Sequence, residues 1–154
     1  MIFPIFRKVP LACFKVGTEL VAKPESQLAQ LLSQYLGTRF RSTAPIKQPF
    51  GGPWIIKVQV APDTTFMIAL SRVRRERDMW LLQITPGRIE GDTGGLLAYL
   101  RGRIPTEDSR ELLPACREIQ VFLTSTPGIS AVRWFFKGSR KAVRTPDELL
   151  SDQA

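Results

Sequence analysis

Trp54-Ile55-Ile56-Lys57-Val58-Gln59-Val60 sets large apolar side chains at 54, 56, 58 and 60 against Ile55, Lys57 and Gln59 between them. A period of two is that of a β-strand, whose successive side chains point to opposite faces. The same period returns twice downstream. Phe66, Ile68 and Leu70 alternate with Met67, Ala69 and Ser71, and Trp80, Leu82 and Ile84 alternate with Met79, Leu81 and Gln83. Short turns, Ala61-Pro62-Asp63-Thr64-Thr65 and Arg74-Arg75-Glu76-Arg77-Asp78, separate the three runs. Strands joined this tightly form an antiparallel meander.

Helical patterns lie on either side of the meander. From about Pro24 to Leu36, the residues Leu28, Leu32, Tyr35 and Leu36 follow the i, i+4, i+7, i+8 spacing of one helix face. Pro24 and Glu25 suit the first turn, and Gly37 suits the stop. The other face, Gln27, Gln30, Ser33 and Gln34, is polar without charge, and uncharged amides are cheaper to bury than ions. Gln27, Gln30 and Gln34 are therefore a candidate contact face. A second helix is expected from roughly Glu107 to Leu123, with Leu112, Cys116, Ile119 and Leu123 as its stripe. Pro114 must stand near the start of its regular part, since an interior proline loses a hydrogen bond and clashes with the preceding turn.

Ile129 to Phe136 reads as a further strand with Val132, Trp134 and Phe136 on one face. Thr145-Pro146-Asp147-Glu148 has the order of a capping box and opens a short terminal helix, ending in a frayed tail at 151–154. Leu11 to Val16 is a possible extra strand. Residues 43–53, with Pro45, Pro49, Gly51, Gly52 and Pro53, read as a loop. Helices grouped around a meander predict one α+β domain over residues 1–154. Its expected form is a two-layer sandwich, with an antiparallel sheet of four to five strands and the two main helices on one face.

Composition bounds the chemistry. The chain has 154 residues, 44% of them hydrophobic and 23% charged. A chain of this length buries about 70% of its unfolded surface, enough for a core without staples. It has no histidine, which removes histidine-based acid/base catalysis and the usual nucleophilic triads. Gly91-Asp92-Thr93-Gly94-Gly95 resembles the nucleophile loop of trypsin-like serine proteases with threonine in the nucleophile's place. Without a histidine that loop lacks its general base, so a turn with Asp92 or Thr93 capping a helix is expected. Two distant cysteines, Cys13 and Cys116, cannot close a zinc site, and Cys116 has the setting of a buried free thiol. No phosphate-binding or dinucleotide-binding glycine motif occurs, and no cofactor is expected. The carboxylate neighbours Glu90/Asp92, Glu107/Asp108 and Asp147/Glu148 each have a structural role at hand, so an enzyme is the least favoured class.

Few cysteines favour a reducing compartment. The apolar Met1–Phe6 is followed, not preceded, by Arg7-Lys8, the wrong order for a secretory signal. Pro10 and the same basic pair argue against a lipoprotein reading of Leu11-Ala12-Cys13. A cytoplasmic protein without a membrane span is expected, since no run approaches the roughly 20 apolar residues such a span needs.

The net charge is +8 and the pI about 10.1, so polyanions and acidic protein faces attract this chain. Arg72, Arg74, Arg75 and Arg77 crowd one hairpin turn. Lys137, Arg140, Lys141 and Arg144, with Arg133 before them, occupy an acid-free stretch in which Gly138-Ser139 is positioned to expose N–H groups beside the cations. The tryptophans fall on apolar strand faces and are expected in the core. The reading is a non-catalytic interaction module of the inhibitor, immunity, adaptor or chaperone kind, recognising an acidic partner surface. The alternative is a polyanion or nucleic-acid binder acting through the basic turns.

Overall fold

The computed structural model describes residues 9–21, 25–49, 52–62, 64–73, 75–76, 78–87 and 112–151. In chain order these form β1 (Pro10–Val16), a single turn α1 (Thr18–Val21), α2 (Glu25–Gly37), β2 (Arg41–Ser42), β3 (Ile46–Lys47), β4 (Trp54–Ala61), β5 (Thr64–Arg72), β6 (Met79–Gly87), α3 (Leu113–Ser125), β7 (Ile129–Phe136) and α4 (Pro146–Ser151). The strands make one antiparallel sheet in the order β2-β4-β5-β6-β1-β7, with β3 also on β4.

The α+β class and the β4-β5-β6 meander follow the sequence pattern, but the expected four to five strands in a two-layer sandwich become seven strands. Two of the added strands, β2 and β3, are two residues each. They border or lie within the stretch expected to be a loop, where no period can register. The possible strand at Leu11–Val16 is real, and it joins the meander to β7. Its sequence lacks a clean polar alternation because both of its faces carry apolar side chains.

One alternating set of strand residues packs with the helix stripes into a single core. Ala12, Phe14, Ile56, Phe66, Ile68, Leu70, Leu82, Ile84 and Trp134 are fully enclosed there, together with Leu36, Cys116 and Ile119. Pro114 is the second residue of α3, and Leu112 precedes the helix. Ser33, expected on the polar face of α2, is instead buried. Its hydroxyl donates to the Thr43 carbonyl at 2.7 Å, and the Ser42 hydroxyl donates to the Ser33 carbonyl at 2.8 Å, pinning β2 against the helix. Serine suits that contact because its side chain is short and its hydroxyl is satisfied by the strand backbone.

Polar side chains tie the helices together. The Tyr35 hydroxyl donates to Glu118 Oε2 at 2.9 Å, and Arg39 Nε lies 3.5 Å from the same oxygen. Burial, with the Glu118 hydrogen bond and charge, raises the Tyr35 pKa. Thr145 caps α4 through its hydroxyl, which accepts from the Glu148 N–H at 3.2 Å, as the capping-box order predicts. Arg117 grips Asp147 with two bonds of 2.9 and 3.0 Å, holding the Asp147 carboxyl below its usual 3.8. A carboxylate with a depressed folded pKa lends stability that is complete above the unfolded value and is lost as pH falls through the folded one. Asp147→Asn is therefore expected to lower the melting temperature at pH 7 and to differ less from the parent at pH 3. A gap that is as wide at pH 3 contradicts the latch.

The pairing of β1 with β7 slips between Cys13 and Lys15, where β7 carries one extra residue. Ala131 sits at this bulge with φ of 54°, a left-handed conformation costly for any residue with a Cβ. Ala131→Gly is expected to raise stability by roughly 0.5 kcal/mol and Ala131→Val to lower it by more than about 1 kcal/mol, read as shifts in the urea midpoint.

Candidate interaction surface

The two basic turns stand at opposite ends of the sheet. The β5–β6 turn lies beside the end of β1, where the Val16 N–H donates to the Asp78 carbonyl at 2.7 Å. The turn after β7 lies beside the start of β1, where Pro10 pairs with Phe136 and the Lys137 N–H donates to the Val9 carbonyl at 2.8 Å. The length of β1, about 20 Å at strand spacing, separates them. They are not one site.

Within the first turn Arg75 is exposed beside exposed Glu76 and Asp78, so its charge is locally offset. Arg72 is half-buried on the core-facing side of β5, its guanidinium carbon 5.4 Å from the centre of the Trp80 ring. That geometry is a cation–π contact within the fold. Arg74 and Arg77 lie outside the described residues, as do the Gly91–Gly95 loop, Glu90, Asp92, Glu107 and Asp108.

The second turn keeps its character. Arg133, Lys137, Arg140, Lys141 and Arg144 are all exposed. The loop is shaped from within. Trp134 and Val143 form an antiparallel bridge, each N–H donating to the other's carbonyl at 2.7 Å. Gly138, with φ of 84°, completes a tight turn in which the Ser139 N–H donates to the Phe136 carbonyl at 2.8 Å. The Ser139 hydroxyl accepts from the Lys141 N–H at 3.2 Å. The Ser139 N–H, expected to face a ligand, is thus used to hold the loop, as is that of Lys141, so recognition here rests on the side-chain cations.

The amide face of α2 lines a shallow groove of about 380 Å3 formed by Ser26, Gln27, Gln30, Leu31 and Gln34. Gln30 and Gln34 are exposed and Gln27 is half-buried.

A third surface escaped the sequence reading. The strand residues that face away from the core run across six strands in register: Ile46, Ile55, Ala69, Gln83, Leu11 and Phe135. Leu81 and Cys13 flank this row on one side and Met67 on the other. Leu11 is 9% exposed, yet it is absent from the core cluster, as are Ile55, Met67, Leu81 and Phe135. Burial pushes the Cys13 thiol up, and the nearby Glu76 carboxylate adds to the shift. Lys15, Lys57 and Arg133 edge the apolar row, and no described strand residue of this face is acidic. The signal was present in the alternation itself. The residues between the core positions of these strands are Ile, Met, Ala and Leu as often as they are polar, unlike a strand with one solvated face.

Among the described residues no group of three or more Asp, Glu or Cys gathers as a metal site, and no helix is long and apolar enough to cross a membrane. Cys13 and Cys116 are free, and Cys116 is fully buried, with its thiol pushed far up by desolvation. Asp147 and Glu148 serve the Arg117 latch and the α4 cap. Comparison with known proteins finds no family model, curated protein or solved structure that matches this chain.

Proposed function

We propose that the protein is a non-catalytic interaction module that recognises an acidic partner surface, with the turn after β7 as its electrostatic contact. The observation that carries this reading is the exposed, acid-free set Lys137, Arg140, Lys141 and Arg144, held in one loop by the Trp134–Val143 bridge. Cations at a rim steer association and select partners of opposite charge. The Gln27, Gln30 and Gln34 face of α2 supplies a second, uncharged contact.

The test is a pull-down from nuclease-treated extract with the parent protein and with Arg140→Glu/Lys141→Glu. An acidic protein retained by the parent after nuclease and lost by the double variant is the expected result. Retention only while nucleic acid is intact, with binding that falls steeply with salt, favours a polyanion binder instead. Equal retention by both proteins removes the turn from the contact.

A further inference from the structure

We infer that the outer face of the sheet, on the side away from the core, docks an acidic amphipathic helix of the partner. The inference rests on the acidic-partner reading and adds to it a further, apolar place of contact. The row from Ile46 to Phe135, apolar apart from Gln83, crosses six strands, about 24 Å at inter-strand spacing, a length that about 16 helical residues match. Leu81, Cys13 and Met67 give the row width. Leu11 is already buried, while Ile46 is exposed and Ile55, Met67, Ala69, Leu81 and Phe135 are half-buried, which leaves apolar surface for a helix face to cover.

Charge decides among the occupants. Lys15 and Arg133 are exposed at one margin of the strip, Lys57 is half-exposed at the other, and no described strand residue of this face is acidic. A second copy placed face to face sets these cations against their own copies, and like-charge juxtaposition disfavours that pairing. The apolar start of this chain, Met1–Phe6, leads into Arg7 and Lys8 and brings cations as well. A helix with leucine-like residues on one face and carboxylates flanking them satisfies both the strip and its rim. Among the described residues, Glu76 lies near Cys13, on the flank of the strip that carries Lys15 and Arg133.

The probe is a synthetic 18-residue peptide with leucines at helical i, i+3, i+4 and i+7 positions and flanking glutamates (roughly 27 Å as a helix). A control peptide has the same composition with the leucines spread evenly around the helix. Anisotropy titration of the full chain is expected to show at least tenfold tighter binding of the patterned peptide. Lys15→Glu/Arg133→Glu, and separately Leu81→Gln, are each expected to weaken it tenfold or more, with circular dichroism confirming the fold. Cys13 reports on the face directly, because Cys116 is sealed in the core. Alkylation of Cys13 by a maleimide is expected to proceed in the free protein and to slow at saturating peptide.

Equal binding of the two peptides, unchanged affinity in the outer-face variants, or unchanged alkylation overturns the inference. So does a Cys13 already as unreactive as Cys116 in the free protein, which means that the chain itself or a second copy covers the face. Loss of peptide binding in Arg140→Glu/Lys141→Glu alone overturns the docking place and leaves the acidic-partner reading standing. Binding of heparin with no binding of either peptide overturns both.

Discussion

Trp134→Ala is expected to be the most destabilising single substitution in the described structure, costing roughly 3–5 kcal/mol. Trp134 is fully buried, pairs with Ala12 across β1, and donates its indole N–H to Gln120 Oε1 at 2.6 Å. Truncation leaves a cavity that α3 and the sheet can only partly close, and it strips the half-buried Gln120 amide oxygen of its donor. Because domains of this size hold only about 5–15 kcal/mol in all, such a loss is readily measured as a fall in the urea midpoint. Trp134→Phe keeps most of the volume and removes the hydrogen bond, so it is expected to cost about 1–3 kcal/mol. A loss under about 1 kcal/mol for Trp134→Ala contradicts this account of the β7–α3 contact. Gln120 also donates through Nε2 to the Arg144 carbonyl at 3.3 Å, so the same cluster braces the far end of the basic loop. Trp134→Ala is thus also expected to speed amide exchange at Val143, whose N–H donates to the Trp134 carbonyl.

Arg140→Glu/Lys141→Glu is expected to reduce affinity for the proposed acidic partner by roughly 10–100-fold at low salt, with little change in stability. Each reversal both removes an attraction and adds a repulsion, and about 1.4 kcal/mol corresponds to a factor of ten. Both side chains are exposed, so neither contributes packing that its loss disturbs. Most of the effect is expected in the association rate, and it shrinks as salt is raised toward a Debye length of about 8 Å or less. Association rates measured at two ionic strengths check this. A change confined to the dissociation rate and indifferent to salt places the two residues in a buried contact instead of at a steering rim.

The β4-β5-β6 meander, the stripe on α2, the position of Pro114 and the Thr145 cap all follow from local rules. Each depends on residues within a few positions of one another: a period of two, a period of 3.6, a missing N–H, a hydroxyl three residues before an amide. Ser33 shows where those rules stop. Its place on the helix wheel groups it with the glutamines, and only the arrival of β2 turns that position inward. The strands β2 and β3 are two residues long, too short to show any period, and exist because β4 offers them an edge.

The candidate surfaces divide in the same way. Composition alone determines that the chain is strongly basic and has no histidine for acid/base work, and the run 133–144 alone determines one acid-free cluster. Only tertiary structure separates the two basic turns by the length of a strand, because β1 enters the sheet between β6 and β7. It also turns Arg72 toward Trp80, on the core side of the sheet. The outer apolar row is the clearest case. Its members come from six strands far apart in sequence, and they meet only through backbone register, which hydrogen bonding between strands sets and no local pattern encodes.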